Sequence, residues 1–281
     1  MTPRRWTSYD LIFFDCDSTL SSIEGIDELA ALAGREDEIA ELTNKAMDGE
    51  LDLKEVYGER LKAIQPTKQQ LKQVEERYWE TTVPDALEVI SALNFLGKHV
   101  FVISGGLAEP VRGFARRLGV PPERVRAVEL EFNELSGEWW RYHDPSQLAN
   151  QKFMDFYEGP LTISSGKPKV VEDLAGDLHG KRLFVGDGAS DLATQSVVEM
   201  FVGFGGVVAR ENVRTHAAAW LEAQSLAPIL PLAAGPTGYA KCVGTPHQRA
   251  FDKGISLART RMFTLRDEDT RGAFEEAFQL L

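Results

Sequence analysis

The stretch that most constrains the fold of this chain is Asp15-Cys16-Asp17-Ser18-Thr19, which directly follows the apolar run Leu11-Ile12-Phe13-Phe14. Four consecutive apolar residues have the length of a short buried strand. Two carboxylates therefore lie where a strand ends, and ligands of open α/β sheets bind at the carboxyl ends of the strands. An isolated Asp-x-Asp is also typical of a polar turn that caps a helix, so the choice depends on the rest of the chain.

Apolar strand patterns alternate with helical patterns along much of the chain. Further strands are predicted at residues 100–103, 125–132, 182–185 and, as the last one, 200–202. This alternation predicts an α/β fold with a doubly wound, Rossmann-like parallel sheet and right-handed crossovers. The residues that follow the first strand are helical in pattern up to about residue 82, with a capping box at Thr67 and Gln70. They predict a small inserted all-helical domain, here called the cap.

These patterns divide the chain into three parts. Residues 1–20 and 84–226 form the predicted core, residues 21–83 the cap, and residues 227–281 a C-terminal extension of unknown role. The start of the extension has the composition of a linker because it contains Pro228, Pro231, Gly235, Pro236 and Gly238. In the last predicted helix, Phe274, Phe278 and Leu281 share one face, so that helix is expected to pack against another part of the protein.

Composition excludes several classes of protein. The net charge of −12 over 281 residues argues against a nucleic-acid binder and against attraction to anionic membranes. The apolar run before Asp15 is too short for a signal peptide or a membrane span. Two cysteines make no disulfide framework, which favours a reducing, cytoplasmic location. Neither monomer nor homodimer is favoured by the sequence.

Three later stretches supply polar groups that suit the two carboxylates. They are Ser104-Gly105-Gly106 after the second strand, Lys167 within Ser164-Ser165-Gly166-Lys167-Pro168-Lys169, and Gly186-Asp187-Gly188-Ala189-Ser190-Asp191. A phosphoryl group needs a hydroxyl, free amides and a cation to offset its negative charge. Mg²⁺ prefers carboxylate oxygens, water and phosphate as ligands. Together the four stretches indicate phosphoryl chemistry with a metal ion.

In this order, the four stretches resemble the four motifs of the haloacid dehalogenase superfamily of phosphotransferases. The resemblance extends over about residues 9–220 to the phosphoserine phosphatase family. It is supported by Ser22-Ile23-Glu24-Gly25-Ile26-Asp27-Glu28-Leu29-Ala30, Ala46-Met47-Asp48-Gly49, Glu59-Arg60-Leu61 and Val202-Gly203-Phe204-Gly205-Gly206. One departure is Leu53, where the family often has an aromatic residue, and this affects the substrate pocket rather than the phosphoryl chemistry.

The resemblance implies a role for each motif residue. Asp15 would be the nucleophile that forms an aspartyl-phosphate, and Asp17 would act as general acid and then general base. The predicted Mg²⁺ ligands are the Asp15 carboxylate, the Asp17 carbonyl and Asp187, while Asp191 would support the metal waters or orient Lys167. The remaining assigned residues are Ser104, Gly105 and Lys167 for the phosphate and Ser190 for the substrate.

The same resemblance implies that the cap recognises an amino acid phosphate. Glu24 would meet the substrate ammonium, Arg60 its carboxylate, and Met47 would form an apolar wall. The expected activity is hydrolysis of O-phosphoserine, a small phosphomonoester.

Three alternatives remain. The first is a phosphotransferase of the same fold that uses a small alcohol such as homoserine as acceptor, and the second is a phosphatase for another small phosphometabolite. The third, a non-catalytic phosphoamino-acid binding protein, is disfavoured because no catalytic position is missing.

Overall fold

The computed structural model describes residues 6–47, 53–136, 139–141, 143 and 151–279, and it is built around one seven-stranded sheet. The strand order is β3-β2-β1-β6-β7-β8-β9. The strands are β1 (Leu11–Phe14), β2 (His99–Leu107), β3 (Val125–Val128), β6 (Arg182–Gly186), β7 (Met200–Phe204), β8 (Ala219–Leu221) and β9 (Phe263–Leu265). All neighbours pair in parallel except β8 and β9, so the predicted doubly wound parallel fold is confirmed.

Strand β1 lies inside the sheet, between β2 and β6, and both of its faces are buried. Ile12 and Phe14 belong to one apolar cluster, and Leu11 and Phe13 to the cluster on the opposite face. A strand covered on both sides needs a continuous apolar run, which explains why residues 11–14 do not alternate with polar residues. The strand therefore places Asp15 in the middle of the side of the sheet at which the parallel strands have their carboxyl ends.

Helices cover both faces of this sheet, and a short hairpin lies beside it. The helices that follow the cap are α5 (Ala86–Phe95), α6 (Ala108–Arg117), α7 (Lys167–Ala175), α8 (Ala189–Leu192) and α9 (Glu211–His216). The hairpin pairs β4 (Leu130–Asn133) antiparallel with β5 (Lys152–Phe156). Because β3 and β4 are separate strands in different sheets, the prediction of one strand over 125–132 is wrong. No helix in the described ranges is both long and apolar enough to cross a membrane.

The segment between β1 and α5 forms helices, as its periodicity predicts. They are α1 (Gly25–Ala33), α2 (Glu36–Met47), α3 (Leu53–Ile64) and α4 (Lys68–Glu80). The predicted capping box is present, since the Thr67 side chain accepts from the Gln70 amide while the Gln70 side chain accepts from the Thr67 amide. The exact boundaries between cap and core stay predictions.

The C-terminal extension is not opened by a linker, and that prediction is wrong. Residues 229–242 form helix α10 (Ile229–Cys242), whose first six residues are all buried. Proline is tolerated in the first turn of a helix, where its missing N–H has no intrahelical acceptor. Gly235, with φ 62° and ψ −171°, breaks the helix just before Pro236. The Pro and Gly residues thus shape a kinked buried helix.

Two further helices and a strand complete the extension. Helices α11 (Gln248–Arg259) and α12 (Glu268–Phe278) flank β9, which pairs with β8 at the sheet edge. The prediction that 200–202 is the last strand is therefore wrong; β8 and β9 have only three residues each, too few to show a period. Phe274 of α12 is buried against Trp6, Phe263 and Phe278, which confirms that the last helix packs on the core, while Leu281 lies outside the described residues.

We expect Phe274→Ala to lower the free energy of unfolding by about 3 kcal/mol, because the truncation leaves a cavity among three aromatic rings. Urea unfolding measures the change. Met262→Ala, at a half-exposed site in the same extension, should cost less than about 1 kcal/mol. Equal losses in the two variants would show that α12 contributes little to the packing of the core.

Candidate active site

The polar groups singled out in the sequence meet at the carboxyl edge of three adjacent strands. Asp15 follows β1, Ser104 lies in β2, and Asp187 follows β6. The register sets this arrangement, since Phe14 of β1 pairs with Val102 on one side and Val185 on the other. The amide of Asp15 donates to the Val185 carbonyl at 2.9 Å, which holds the backbone of the motif to the neighbouring strand.

A buried lysine bridges two of the carboxylates. The Lys167 ammonium donates to Asp15 Oδ1 at 2.6 Å and to Asp191 Oδ1 at 2.5 Å, and all three side chains are buried. Asp191 Oδ2 accepts from the Gly188 amide at 2.9 Å, so both of its oxygens are occupied. These contacts place Asp191 where it could orient Lys167, one of the two roles predicted for it, and that role stays a prediction.

Burial sets the electrostatics of this cluster. It raises the pKa of Asp15 well above its ordinary value, and the nearby Asp191 charge adds to the rise while Lys167 opposes it. Burial alone would lower the pKa of Lys167, but the Asp15 and Asp191 charges outweigh that effect and raise it. The ammonium thus stays charged, and its positive charge offsets the unfavourable burial of the two carboxylates.

Asp187 is bound by an arginine that the sequence reasoning missed. Arg210 Nε donates to Asp187 Oδ2 at 2.9 Å, and Arg210 Nη2 lies 3.7 Å from Glu24 Oε1. Burial and the Asp191 charge raise the pKa of Asp187 to about 6, and Arg210 opposes that shift. A sequence signal was present: Arg210 lies in the loop after β7, whose carboxyl end faces the same edge.

The carboxylates form a group that fits a divalent metal. Oxygens of Asp15, Asp187 and Asp191 all lie within 4.8 Å of one another in a buried site. Several hard anionic oxygens at this spacing match the ligand preference of Mg²⁺ or a similar ion.

Asp17 is held at both oxygens. Its Oδ1 accepts from the Gly25 amide at 2.7 Å and from the Tyr78 hydroxyl at 2.6 Å. Its Oδ2 accepts from Ser104 Oγ at 3.0 Å, and Ser104 Oγ accepts from the Gly106 amide at 2.8 Å. The structure therefore joins Asp17 to the Ser104 loop and to the cap. The contribution of Tyr78 was not predicted.

The cap adds one acidic and one basic side chain, Glu24 and Arg60, beside this network. Glu24 Oε1 accepts from Ser18 Oγ at 2.7 Å, and burial together with the Asp17 charge raises the Glu24 pKa to about 7. Arg60 has a buried Nε that finds no hydrogen-bond partner among the residues that the structure describes. Burial lowers the Arg60 pKa, while the charges of Tyr57, Asp27 and Glu24 oppose that change.

The remaining predicted residues are placed as follows. The Gly105 carbonyl accepts from the hydroxyl of Tyr57, a residue of α3, at 3.0 Å, and Ser190 is a half-buried residue of α8. The Tyr57 ring contacts Phe156 of the hairpin. The side chains of Met47 and Leu53 lie outside the described residues, so the predicted apolar wall stays a prediction.

Comparison with known proteins agrees with this geometry. The family model of haloacid dehalogenase-like hydrolases matches residues 9–195. The chain is 36% identical to the phosphoserine phosphatase of Homo sapiens over 211 residues, which is 75% of this chain and 88% of the relative. It is 32% identical to the phosphoserine phosphatase of Drosophila melanogaster over 209 residues, 74% of this chain and 72% of that relative.

The chain belongs to the haloacid dehalogenase-like hydrolases. Among them it groups with the phosphoserine phosphatases, and it is a phosphomonoesterase of that kind. A solved phospho-aspartyl intermediate analogue of phosphoserine phosphatase superposes with a TM-score of 0.63 and 26% identity, over 79% of this chain and 98% of that one. A substrate-bound phosphoserine phosphatase complex gives the same TM-score and identity over 79% of this chain and 97% of that one.

The lysine bridge of this hydrolase should control its stability in the absence of metal. We expect Lys167→Met to lower the free energy of unfolding by about 3 kcal/mol at pH 8, because it leaves two buried carboxylates without a cation. The folded pKa of Asp15 is raised, so protonation relieves the unfavourable charge and the loss grows as pH rises through that pKa. The loss should be smaller at pH 5.

Urea unfolding in EDTA at both pH values measures this effect. Lys98→Met is the matched control, because Lys98 pairs with the half-exposed Asp10 at the opposite end of β1. The control should lose less than about 1 kcal/mol at either pH. A Lys167→Met loss of the same size at pH 5 and pH 8 would contradict the proposed origin of the instability.

Proposed function

We propose that this phosphatase hydrolyses O-phosphoserine to serine and phosphate, with Mg²⁺ as cofactor and Asp15 as nucleophile. The observation that supports it most is the pairing of two differently held carboxylates. Asp15 is bound by a lysine that can also bind phosphate, whereas Asp17 is bound by neutral donors. One carboxylate is thereby suited to attack phosphorus and the other to transfer protons.

The metal would be held by Asp15, Asp187 and the backbone carbonyl of Asp17. When bound, Mg²⁺ supplies positive charge that offsets the phosphoryl oxygens and the nucleophile. Asp191 is already committed to Lys167 and to the Gly188 amide, which favours a supporting role for it.

In the first step, an oxygen of Asp15 forms a bond to phosphorus as the bond to the serine oxygen breaks. Asp17 gives its proton to that departing oxygen, because a serine alkoxide is too basic to leave alone. Ser104, Gly105 and Lys167 bind the phosphoryl oxygens during the transfer. The products of this step are free serine and an aspartyl-phosphate on Asp15.

In the second step, water attacks the same phosphorus. Asp17, now a carboxylate, takes a proton from that water while the bond between phosphorus and Asp15 breaks. Phosphate leaves, and both carboxylates return to their starting states. One water is consumed in each cycle, and no other reactant is needed.

Glu24, Arg60 and Ser190 would bind the amino acid part of the substrate, with Met47 as the apolar wall. The buried Arg60 Nε has no partner within the described part of the chain, and this supports the assignment, since a substrate carboxylate would supply an acceptor. The Glu24 carboxylate beside Ser18 would accept the substrate ammonium once it is ionised. Arg210 adds a cation on the same side of the site.

The proposal extends to the metabolic role, the cellular location and the oligomeric state of the enzyme. The name of its relatives, phosphoserine phosphatase, supports a role in serine biosynthesis. Both cysteines are free and buried, which supports the cytoplasmic location predicted from the sequence. A monomer and a homodimer are both compatible with the structure, and the choice stays a prediction.

The nucleophile is tested by Asp15→Asn. We expect Mg²⁺-dependent phosphate release from O-phosphoserine in the parent and a loss of about 10⁴-fold or more in the variant, since an amide cannot form the aspartyl-phosphate. Asp10→Asn, at the other end of β1, should keep parent activity. Turnover of Asp15→Asn within tenfold of the parent would remove Asp15 from this role.

The same assay distinguishes hydrolysis from phosphoryl transfer. With homoserine added, free phosphate should remain the main phosphorus product. If phosphohomoserine formed faster than free phosphate, the phosphotransferase alternative would replace the hydrolase.

Arg60→Met tests the substrate. We expect kcat/KM for phosphoserine to fall by about 30- to 1,000-fold, equivalent to about 2–4 kcal/mol for a partly desolvated charged contact. An aryl phosphate that has no carboxylate should lose less than about threefold. Arg35→Met, which alters an exposed arginine of the cap, is the control and should leave both substrates unchanged. Equal losses on both substrates would show that Arg60 has a structural role.

A further inference from the structure

The two donors to Asp17 Oδ1 come from the segment after the motif and from the last cap helix. Gly25 begins α1, and Tyr78 lies in α4. The Tyr78 hydroxyl is 2.6 Å from Oδ1, which is the usual length of a hydrogen bond from a hydroxyl to a carboxylate, and the side chain is fully buried. A buried hydroxyl with a carboxylate acceptor fixes both the rotamer and the distance of that carboxylate.

Helix α4 is anchored on the core helix α6, so this hydroxyl has a firm support. The Tyr78 ring stacks on Phe114 with centroids 5.6 Å apart. Arg117 binds Glu76 at 2.8 Å and lies over the Trp79 ring at 4.3 Å. These contacts join one face of α4 to α6 and place Tyr78 between Phe114 and Asp17.

The backbone packs closely around the Tyr78 hydroxyl. A Cβ atom on Gly25 would lie 2.1 Å from the Tyr78 oxygen, and one on Gly106 would lie 3.3 Å from it. On Gly113 of α6, a Cβ would lie 2.1 Å from the Glu75 carboxyl carbon, so α4 approaches α6 closely. The position of Tyr78 is therefore determined by close packing on several sides.

The two oxygens of Asp17 consequently have different surroundings. Oδ1 accepts from Gly25 and Tyr78, so a proton placed there would meet two donors. Oδ2 faces Ser104 and the space above Gly106, where a Cβ would lie only 2.8 Å from it. Because the Ser104 loop is the proposed phosphate site, Oδ2 is the oxygen that faces the leaving group.

We propose that Tyr78 is a positioning residue for proton transfer, which holds Asp17 by Oδ1 and directs Oδ2 to the serine oxygen and later to the attacking water. The proposal rests on the acid–base role proposed for Asp17. Since α4 is fixed to α6, the acid is aligned by the core-bound part of the cap. Arg60, on α3, would bind the substrate from a different cap helix.

Tyr78→Phe removes only the hydroxyl and keeps the ring on Phe114. We expect kcat for phosphoserine to fall about 10- to 100-fold, the range for a misaligned catalytic group, while KM changes less than about threefold. With p-nitrophenyl phosphate, whose leaving group needs little acid, Asp15 should still be phosphorylated rapidly. Water attack still needs the base, so stopped-flow traces should show a burst near one nitrophenol per site.

A double-mutant cycle identifies the group through which Tyr78 acts. In an Asp17→Asn background, Tyr78→Phe should change phosphoserine turnover by less than about twofold, because the aligned carboxylate is already gone. Tyr9→Phe is the control: it removes a hydroxyl from another buried tyrosine, upstream of β1 and so away from the Asp15 edge, and should keep parent kinetics. Gly25→Ala, which would push the Tyr78 hydroxyl away, should reproduce the burst.

Three results would overturn the proposal: unchanged kcat in Tyr78→Phe, a linear nitrophenol trace with equal losses on both substrates, or a full additional loss in the Asp17→Asn background. The aryl ester keeps this test separate from the substrate assignment. If the parent hydrolysed the aryl ester but not phosphoserine, the proposed substrate would fail, while the burst would still report on Tyr78.

Discussion

The bridge from Lys167 to Asp15 and Asp191 is the interaction on which the rest of the site depends. Three carboxylates lie within 4.8 Å of one another in a buried position, which would be strongly unfavourable without a cation. The ammonium reaches them because α7 begins at Lys167, next to the edge where β1 and β6 end. A parallel sheet buried on both faces supplies a rigid frame for these charges, since Leu11, Ile12 and Phe13 leave no room for the strand to shift.

The sequence predicts those parts of the structure whose chemistry is local. The run at 11–14 and the motif at Asp15 are adjacent in the chain, so strand and site are predicted together. Lys167 and Asp187 are also found, because each lies in a short polar stretch next to an apolar one. The capping box at Thr67 is another local signal, and the structure contains it.

The parts that sequence reasoning missed depend on contacts between distant segments. Tyr78 reaches Asp17 across 61 positions, and its helical periodicity shows only that it faces the interior. Arg210 reaches Asp187 across 23 positions, from a loop with no regular period. In the extension, prolines and glycines that favour a linker are instead buried in α10, because tertiary packing outweighs the local preference of a few residues. Strand β9 is too short to be predicted without its partner β8.

The charges of the side chains in the site are, by themselves, unfavourable for an anionic substrate. On the proposed assignment, five acidic side chains (Asp15, Asp17, Glu24, Asp187 and Asp191) face three cations (Lys167, Arg60 and Arg210), so the group has a net charge of about −2 when all are ionised. A phosphate dianion would be repelled by that charge, and the net charge of −12 on the whole chain adds to the repulsion.

On the proposed mechanism, a bound divalent cation would bring the group to neutrality, and the proton that Asp17 would carry in the first step would make it positive. The proposed chemistry needs the same two additions, since the metal would offset the phosphoryl oxygens and the proton would go to the leaving group. Binding of the dianion and readiness for catalysis are therefore linked through charge. Tyr78 enters this balance as a neutral donor, so it can orient Asp17 without adding a charge that would disturb it.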